Sequence, residues 1–161
     1  LVIFLSARIH KMNDTTAKIC FLIYSFITGL TFSTIFIVYE LSSIIYVFGI
    51  TALLFGIFAL IGHFTKIDLS KISTFLFMGL LGIIICTIIN IFIGNNTFDL
   101  IITIISVIIF LVYTAYDIQK IKRMMNTLPE ENLAICVALE LYLDFINLFL
   151  DLLRLFGKKR N

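Results

Sequence analysis

Apolar residues fall in blocks too long for strands or for the helices of a soluble core. Residues 19–39 hold 21 positions without Asp, Glu, Lys or Arg, residues 41–65 hold 25 and residues 72–98 hold 27. Each is long enough to cross about 30 Å of hydrocarbon as a helix. Residues 100–116 add 17 more between Asp99 and Asp117. Polar residues punctuate these blocks: Arg8 to Thr15, Glu40 to Ser43, Lys66 to Lys71, Gly94 to Thr97 and Asn126 to Glu131. The pattern predicts the end of one helix at residues 1–7, then spans at about 16–39, from the short turn Glu40 to Ser43 as far as about 65, 72–93 and 98–125. A last helix follows at about 132–157, opened by Glu130-Glu131, which suit a helix N-terminus.

The last helix differs from the others. It is apolar enough for a membrane, yet it carries Glu140, Asp144, Asn147, Asp151 and Arg154. At ~100° per residue these five fall within one stripe about 80° wide. Ionisable residues in a membrane segment are costly and face the bundle interior or a watery cavity. On the preceding helix Asp99, Ser106, Tyr113 and Asp117 share a face within ~40°. A short turn joins the two helices, so they are predicted to be antiparallel neighbours. With that turn centred near Thr127, Asp117 and Asp144 stand about 15 and 25 Å along their helices, a mismatch that tilt or irregular ends must absorb. Were the two carboxylates to meet, they would share one proton. They could then act as a pH-sensitive latch or offer oxygens to a hard cation. Arg8 and Arg154 are candidates for a base that locks the ionised form. The plain alternative is that Asp117 is an interfacial acid solvated beside Lys120 and Arg123.

Composition agrees with the blocks. The chain is 61% hydrophobic and 14% charged, with a mean hydropathy of +1.12, more apolar surface than a soluble domain of 161 residues could hide. The fold class is therefore an all-α polytopic transmembrane bundle, one domain over residues 1–161. A net charge of +2 gives no basis for nucleic-acid binding. Cys20, Cys86 and Cys136 lack metal or redox spacing and read as small core residues. His63 reads as a solvated interfacial residue. Ser25, Gly29 and Ser33, and Gly49, Ala52, Gly56 and Ala59, form small-residue rows that suit close helix packing. Arg8, Lys11, Lys18, Lys66, Lys71, Lys120, Lys122 and Arg123 flank the odd-numbered connections, and the even-numbered ones lack bases. That places the basic loops in the cytoplasm. The basic tail Lys158-Lys159-Arg160 conflicts with this rule, and leaves open whether the last helix spans or re-enters.

Specific motifs stand where the polar stripes do. Tyr113-Thr114-Ala115-Tyr116-Asp117-Ile118-Gln119-Lys120-Ile121-Lys122 closely resembles the tyrosine-aspartate motif of the Bax inhibitor-1 family. Leu141-Tyr142-Leu143-Asp144-Phe145-Ile146-Asn147-Leu148-Phe149 resembles its second signature. Phe64 to Ser70, then Met78-Gly79-Leu80, resemble its middle loop and following helix. The resemblance covers essentially the whole chain and is closest to the bacterial branch.

That resemblance implies a seven-helix fold with the last helix central. This chain would supply the end of the second helix and all of the third to seventh, the first and most of the second being absent. It implies a pH-sensitive calcium leak gated by two aspartates, which map by motif onto Asp117 and Asp144. It also implies an arginine that pairs with them; Arg8 is the match and Lys11 a rival. Ile118 departs from the family pattern, where a polar residue is frequent. Glu140, Asn147, Asp151 and Tyr113 are candidate pore lining. No cofactor is expected; calcium would be transported, held transiently near Asp117 and Asp144. The expected setting is a bacterial inner membrane, multi-pass. A second reading is a modulator of a partner, such as the membrane AAA protease FtsH or cell-death regulators, without transport. An intramembrane aspartyl protease is a third. The apolar Leu143-Asp144-Phe145 lacks the glycine-rich setting that class requires, so the protein is not expected to be an enzyme.

Overall fold

The computed structural model describes residues 14–125 and 130–160. Every long element among them is an α-helix: α1 (Asp14–Ser33), α2 (Ile35–Val38), α3 (Leu41–Phe64), α4 (Ser73–Ile93), α5 (Asn96–Met124) and α6 (Glu130–Phe156). Four segments among the described residues are long and apolar enough to cross a membrane: Lys18–Val38, Leu41–Phe64, Leu69–Ile93 and Asn96–Met124. Phe75, Ile91, Phe92 and Leu53 stand largely exposed on α3 and α4. In water such a surface would be a liability; against lipid it is the expected exterior.

The helix ends follow local chemistry. The Asp68 carboxylate accepts from the Ser70 backbone N–H at 3.1 Å and from its hydroxyl at 2.7 Å. It thereby caps the short 3₁₀ turn Leu69–Ile72 that leads into α4. Gly94 closes α4 with φ +66°, the left-handed position that glycine takes without a Cβ penalty. Asn95 then caps α5, its side chain accepting from Phe98 N–H at 3.0 Å. The predicted span at 16–39 is divided: the helix starts at Asp14, breaks at Thr34 and resumes as α2. Leu41 to Ser43, read as turn, already belong to α3, and only Tyr39 and Glu40 lie between the helices.

The last helix packs on α1, α3 and α5, and α5 packs on α3, α4 and α6. The centre of the bundle is thus shared by the last two helices. Ile44 and Val47 of α3, Phe110 of α5, and Leu148, Phe149, Leu152 and Leu153 of α6 form the main core cluster. Phe48 reaches Phe145 and Phe149 edge-on, with ring centres 5.4 and 5.9 Å apart. Among the described residues the small-residue rows do not make the close contacts expected of them: a Cβ at Gly29, Gly49 or Gly56 would meet nothing described within 4 Å. Ala52, Gly56 and Ala59 instead line an open groove of about 570 Å³. The close approach lies at Gly62, where an added Cβ would stand 2.2 Å from the Ala115 carbonyl oxygen.

The basic loop at one end is clamped. Gln119 accepts from Leu69 N–H at 2.9 Å and donates to the Ile67 carbonyl at 2.8 Å. Arg123 pairs with Asp68. This guanidinium, with Ser70, holds the exposed Asp68 carboxyl well below the ordinary carboxylate range. The sign follows: the pairing contributes at neutral pH, persists below pH ~4, and is lost as pH falls through the depressed value. In Arg123→Gln, Asp68 should titrate nearer ~4, the ordinary value, read from its carboxyl resonance by NMR. An unchanged titration would show that the guanidinium is not the cause.

At the opposite end the tail returns over the α2–α3 connection. Glu40 N–H donates to the Lys158 carbonyl at 3.0 Å and Arg160 N–H to the Val38 carbonyl at 2.8 Å. The Lys158 ammonium meets Glu40 at 2.9 Å. The last helix therefore runs unbroken through the bundle, and its basic tail sits at the end away from Lys66 and Lys71. The tail's charge does not decide its side because the packing of a 27-residue helix does. A cysteine placed at Lys159 should react with an impermeant thiol reagent from the same face as one at Asn96, and from the face opposite one at Lys71. Reaction from the Lys71 face would reinstate a re-entrant helix.

Candidate functional site

The two polar stripes meet. Asp117 and Asp144, 7% and 6% exposed, are buried between α5 and α6, and their carboxyl groups are hydrogen-bonded to each other. Such a bond requires a proton on one partner. Without it, two unit charges about 4 Å apart repel by roughly 4 kcal/mol at an effective dielectric of ~20. Asp144 Oδ2 meets no donor among the described residues.

The predicted turn near Thr127 lies outside the described residues, and Asp117 and Asp144 come together without a register centred on it. Asp117 and Asp144 are equidistant from a point between Glu130 and Glu131, already inside α6. The Lys120–Glu140 pair keeps nearly that register, and the pairs farther along the helices drift from it. Lys120 Nζ meets Glu140 Oε1 at 2.5 Å, about one turn nearer the basic loops. The Ser106 hydroxyl donates to Asp151. Arg154 meets Asp99 at 3.5 Å at the far end.

All five polar residues of the α6 stripe line one cavity of about 610 Å³, together with Ser106, Tyr113 and Asp117 of α5. Tyr24 and Phe32 of α1 and Leu80, Ile83, Ile84 and Thr87 of α4 complete its wall. A second cavity of about 410 Å³ adjoins the far end, where Asp99 and Arg154 meet Tyr39, Asn96 and Lys159. Arg154 borders both cavities.

Two expectations are corrected. Arg154 is not the base beside the carboxyl pair: it lies ten residues along α6 from Asp144, about 15 Å, and engages Asp99. Asp117 is not a solvated interfacial acid, since it is buried and Arg123 turns to Asp68. Arg8 and Lys11 lie outside the described residues, as does the Cys136 side chain. The Lys120–Glu140 ion pair was missed; the signal was present, since this pair repeats the register of Asp117 and Asp144. Gln119, the loop clamp, gave no sequence signal beyond its i, i+4 spacing from Arg123.

Fold and site together define a polytopic α-helical membrane protein with a carboxyl pair buried between its last two helices and a cavity that the polar stripe of the last helix lines. A family model described as inhibitor of apoptosis-promoting Bax1 matches residues 1–161. The chain is 46% identical over 166 residues to the inner membrane protein YbhL of Escherichia coli K12, covering 99% of this chain and 71% of that protein. It is 43% identical to an uncharacterized protein of Borreliella burgdorferi, covering 100% and 72%. To an uncharacterized membrane protein of Streptococcus pyogenes serotype M1 it is 37% identical, covering 98% and 70%. The chain belongs to the Bax inhibitor-1 family and is a multi-pass integral membrane protein.

Proposed function

We propose that the protein is a pH-sensitive calcium leak of a bacterial inner membrane, gated by the Asp117–Asp144 pair. The observation that carries this reading is the hydrogen bond between two buried carboxyl groups on the wall of a membrane cavity. While one proton is shared, the bond holds α5 to α6 and the path is closed. Loss of that proton leaves two like charges in a poorly solvated site, which drives the helices apart or draws in a cation. Lys120, held by Glu140 close to the pair, offsets part of that charge from the side of the basic loops. The reading is of transport and assigns no catalytic residue. It is tested by calcium uptake into liposomes containing the purified protein across a pH series. Uptake should rise as pH increases. Flat, background uptake at every pH, with co-purification of a membrane protease, would favour a partner-modulating role instead.

A further inference from the structure

Among the described residues the cavity is bounded differently at its two ends. On the α5–α6 wall its lining runs from Ser106 and Arg154 to Asp117 and Glu140. At the Arg154 end it adjoins the second cavity. At the other end, one turn beyond Asp117, Lys120 reaches across to α6, and its ammonium meets Glu140 at 2.5 Å. The acids that act on it are Glu140 and, on its own helix, Asp117. Its neighbours turn elsewhere: Gln119 and Arg123 to the loop before α4, and Lys122 to the His63 carbonyl of α3 at 3.2 Å. Those contacts hold the end of α5 against α3 and the loop, and so hold the base of the Lys120 stem in place.

An ammonium seated on a carboxylate at the end of an acidic cavity does two things to a cation inside. It repels the cation, and it occupies the oxygen that would draw the cation onward. The two side chains are 36% and 24% exposed. That partial exposure makes the contact breakable, because opening it does not strand a charge in a dry interior, as it would in a fully buried pair. The four-carbon stem of lysine is flexible enough to swing toward the basic loops. We propose that the Lys120–Glu140 ion pair closes the cavity toward the basic loops, in series with the carboxyl pair, so that Lys120 decides whether a cation leaves on that side. This rests on the transport reading for what passes, though not for the closure itself. Two accounts compete with it: the ion pair merely ties α5 to α6, or Lys120 acts only through its charge on Asp117.

The test compares wild type, Lys120→Met, Glu140→Gln and the exchanged pair Lys120→Glu with Glu140→Lys, at one alkaline pH. Calcium uptake into liposomes should rise about tenfold in either single variant, as the repelling charge or its anchor is lost, and return toward wild type in the exchanged pair. The charge account expects something else. Lys120→Met removes a positive charge beside the carboxyl pair and Glu140→Gln a negative one, so the two should shift uptake in opposite directions. Anything but a rise in both overturns the closure, including lowered thermal unfolding with unaltered uptake, which is the mark of a mere tie. A second readout needs no transport. It uses Ile83→Cys, on the cavity wall, in a chain whose 3 native cysteines are replaced by alanine. Its reaction with an impermeant thiol reagent added on the basic-loop side of oriented vesicles should quicken severalfold with Lys120→Met and with Glu140→Gln. An unchanged rate overturns the closure, and where one single variant does not fold, the labelling rate of the other decides. Quicker labelling in a protein that passes no calcium at any pH would sink the transport reading and leave the closure standing.

Discussion

Asp144→Asn should abolish the pH response of calcium uptake and leave the path closed. The side-chain amide keeps the shape of a protonated carboxyl and can still donate to Asp117, but it has no proton to lose over the working range. A hydrogen bond to a charged group is worth about 1.5–3 kcal/mol, so holding the closed state should lower uptake at alkaline pH by about 10- to 100-fold. Asp117→Asn should act in the same sense, because the pair shares one proton and either substitution fixes it. Asp144→Ala, which removes the bond altogether, should instead leave uptake insensitive to pH without closing it. Uptake by Asp144→Asn that follows pH as wild type does would remove the pair from the gate.

Gly62→Leu should unfold the bundle well below the wild-type temperature, and Gly62→Ala should already weaken it. Two effects oppose each other at this position. Alanine gains about 1 kcal/mol over glycine inside a helix. Its Cβ, however, would stand 2.2, 2.7 and 2.8 Å from the carbonyl oxygen, Cα and carbonyl carbon of Ala115. Those are backbone atoms and cannot swing aside, so α3 and α5 must separate. Overpacking of this kind costs about 1–3 kcal/mol even where side chains can adjust, so the clash wins. Since Ala115 lies two residues before Asp117, the separation should also disturb the pair. Gly56→Ala is the control: with nothing within 4 Å, only the propensity gain applies. Thermal unfolding of each variant in detergent, followed by size-exclusion, reads the order. Equal stability of Gly62→Leu and wild type would refute the close contact.

The polar stripe on α6 was legible because membrane segments tolerate few ionisable residues, and five on one face at helical spacing leave little choice of orientation. Asp117 was legible for the same reason and through its motif. The partner of Arg154 was not. An arginine side chain reaches little more than one helical turn, and which residue of the neighbouring helix lies within that reach of Arg154 was not known until the register was. The small-residue rows misled in the opposite way. Gly49, Ala52 and Gly56 permit a close approach, but permission is not contact. The helix that actually comes close does so one turn beyond the row, at Gly62.

What the sequence determined by itself was the class of molecule, the approximate bounds of its long described helices, and the faces that must turn inward. These follow from local quantities: apolar run length, the 100° step of the helix, and the cost of charge in hydrocarbon. What only the tertiary structure decided was the register between α5 and α6, and everything that depends on it. One turn of slip would separate Asp117 from Asp144 and Lys120 from Glu140 while leaving every helix intact. That register is held in part through α3, which packs on both helices: its Phe48 ring meets Phe145 and Phe149 of α6, and its Gly62 meets Ala115 of α5. No single residue announces it, and it also carries the last helix through the bundle against the pull of its own basic tail.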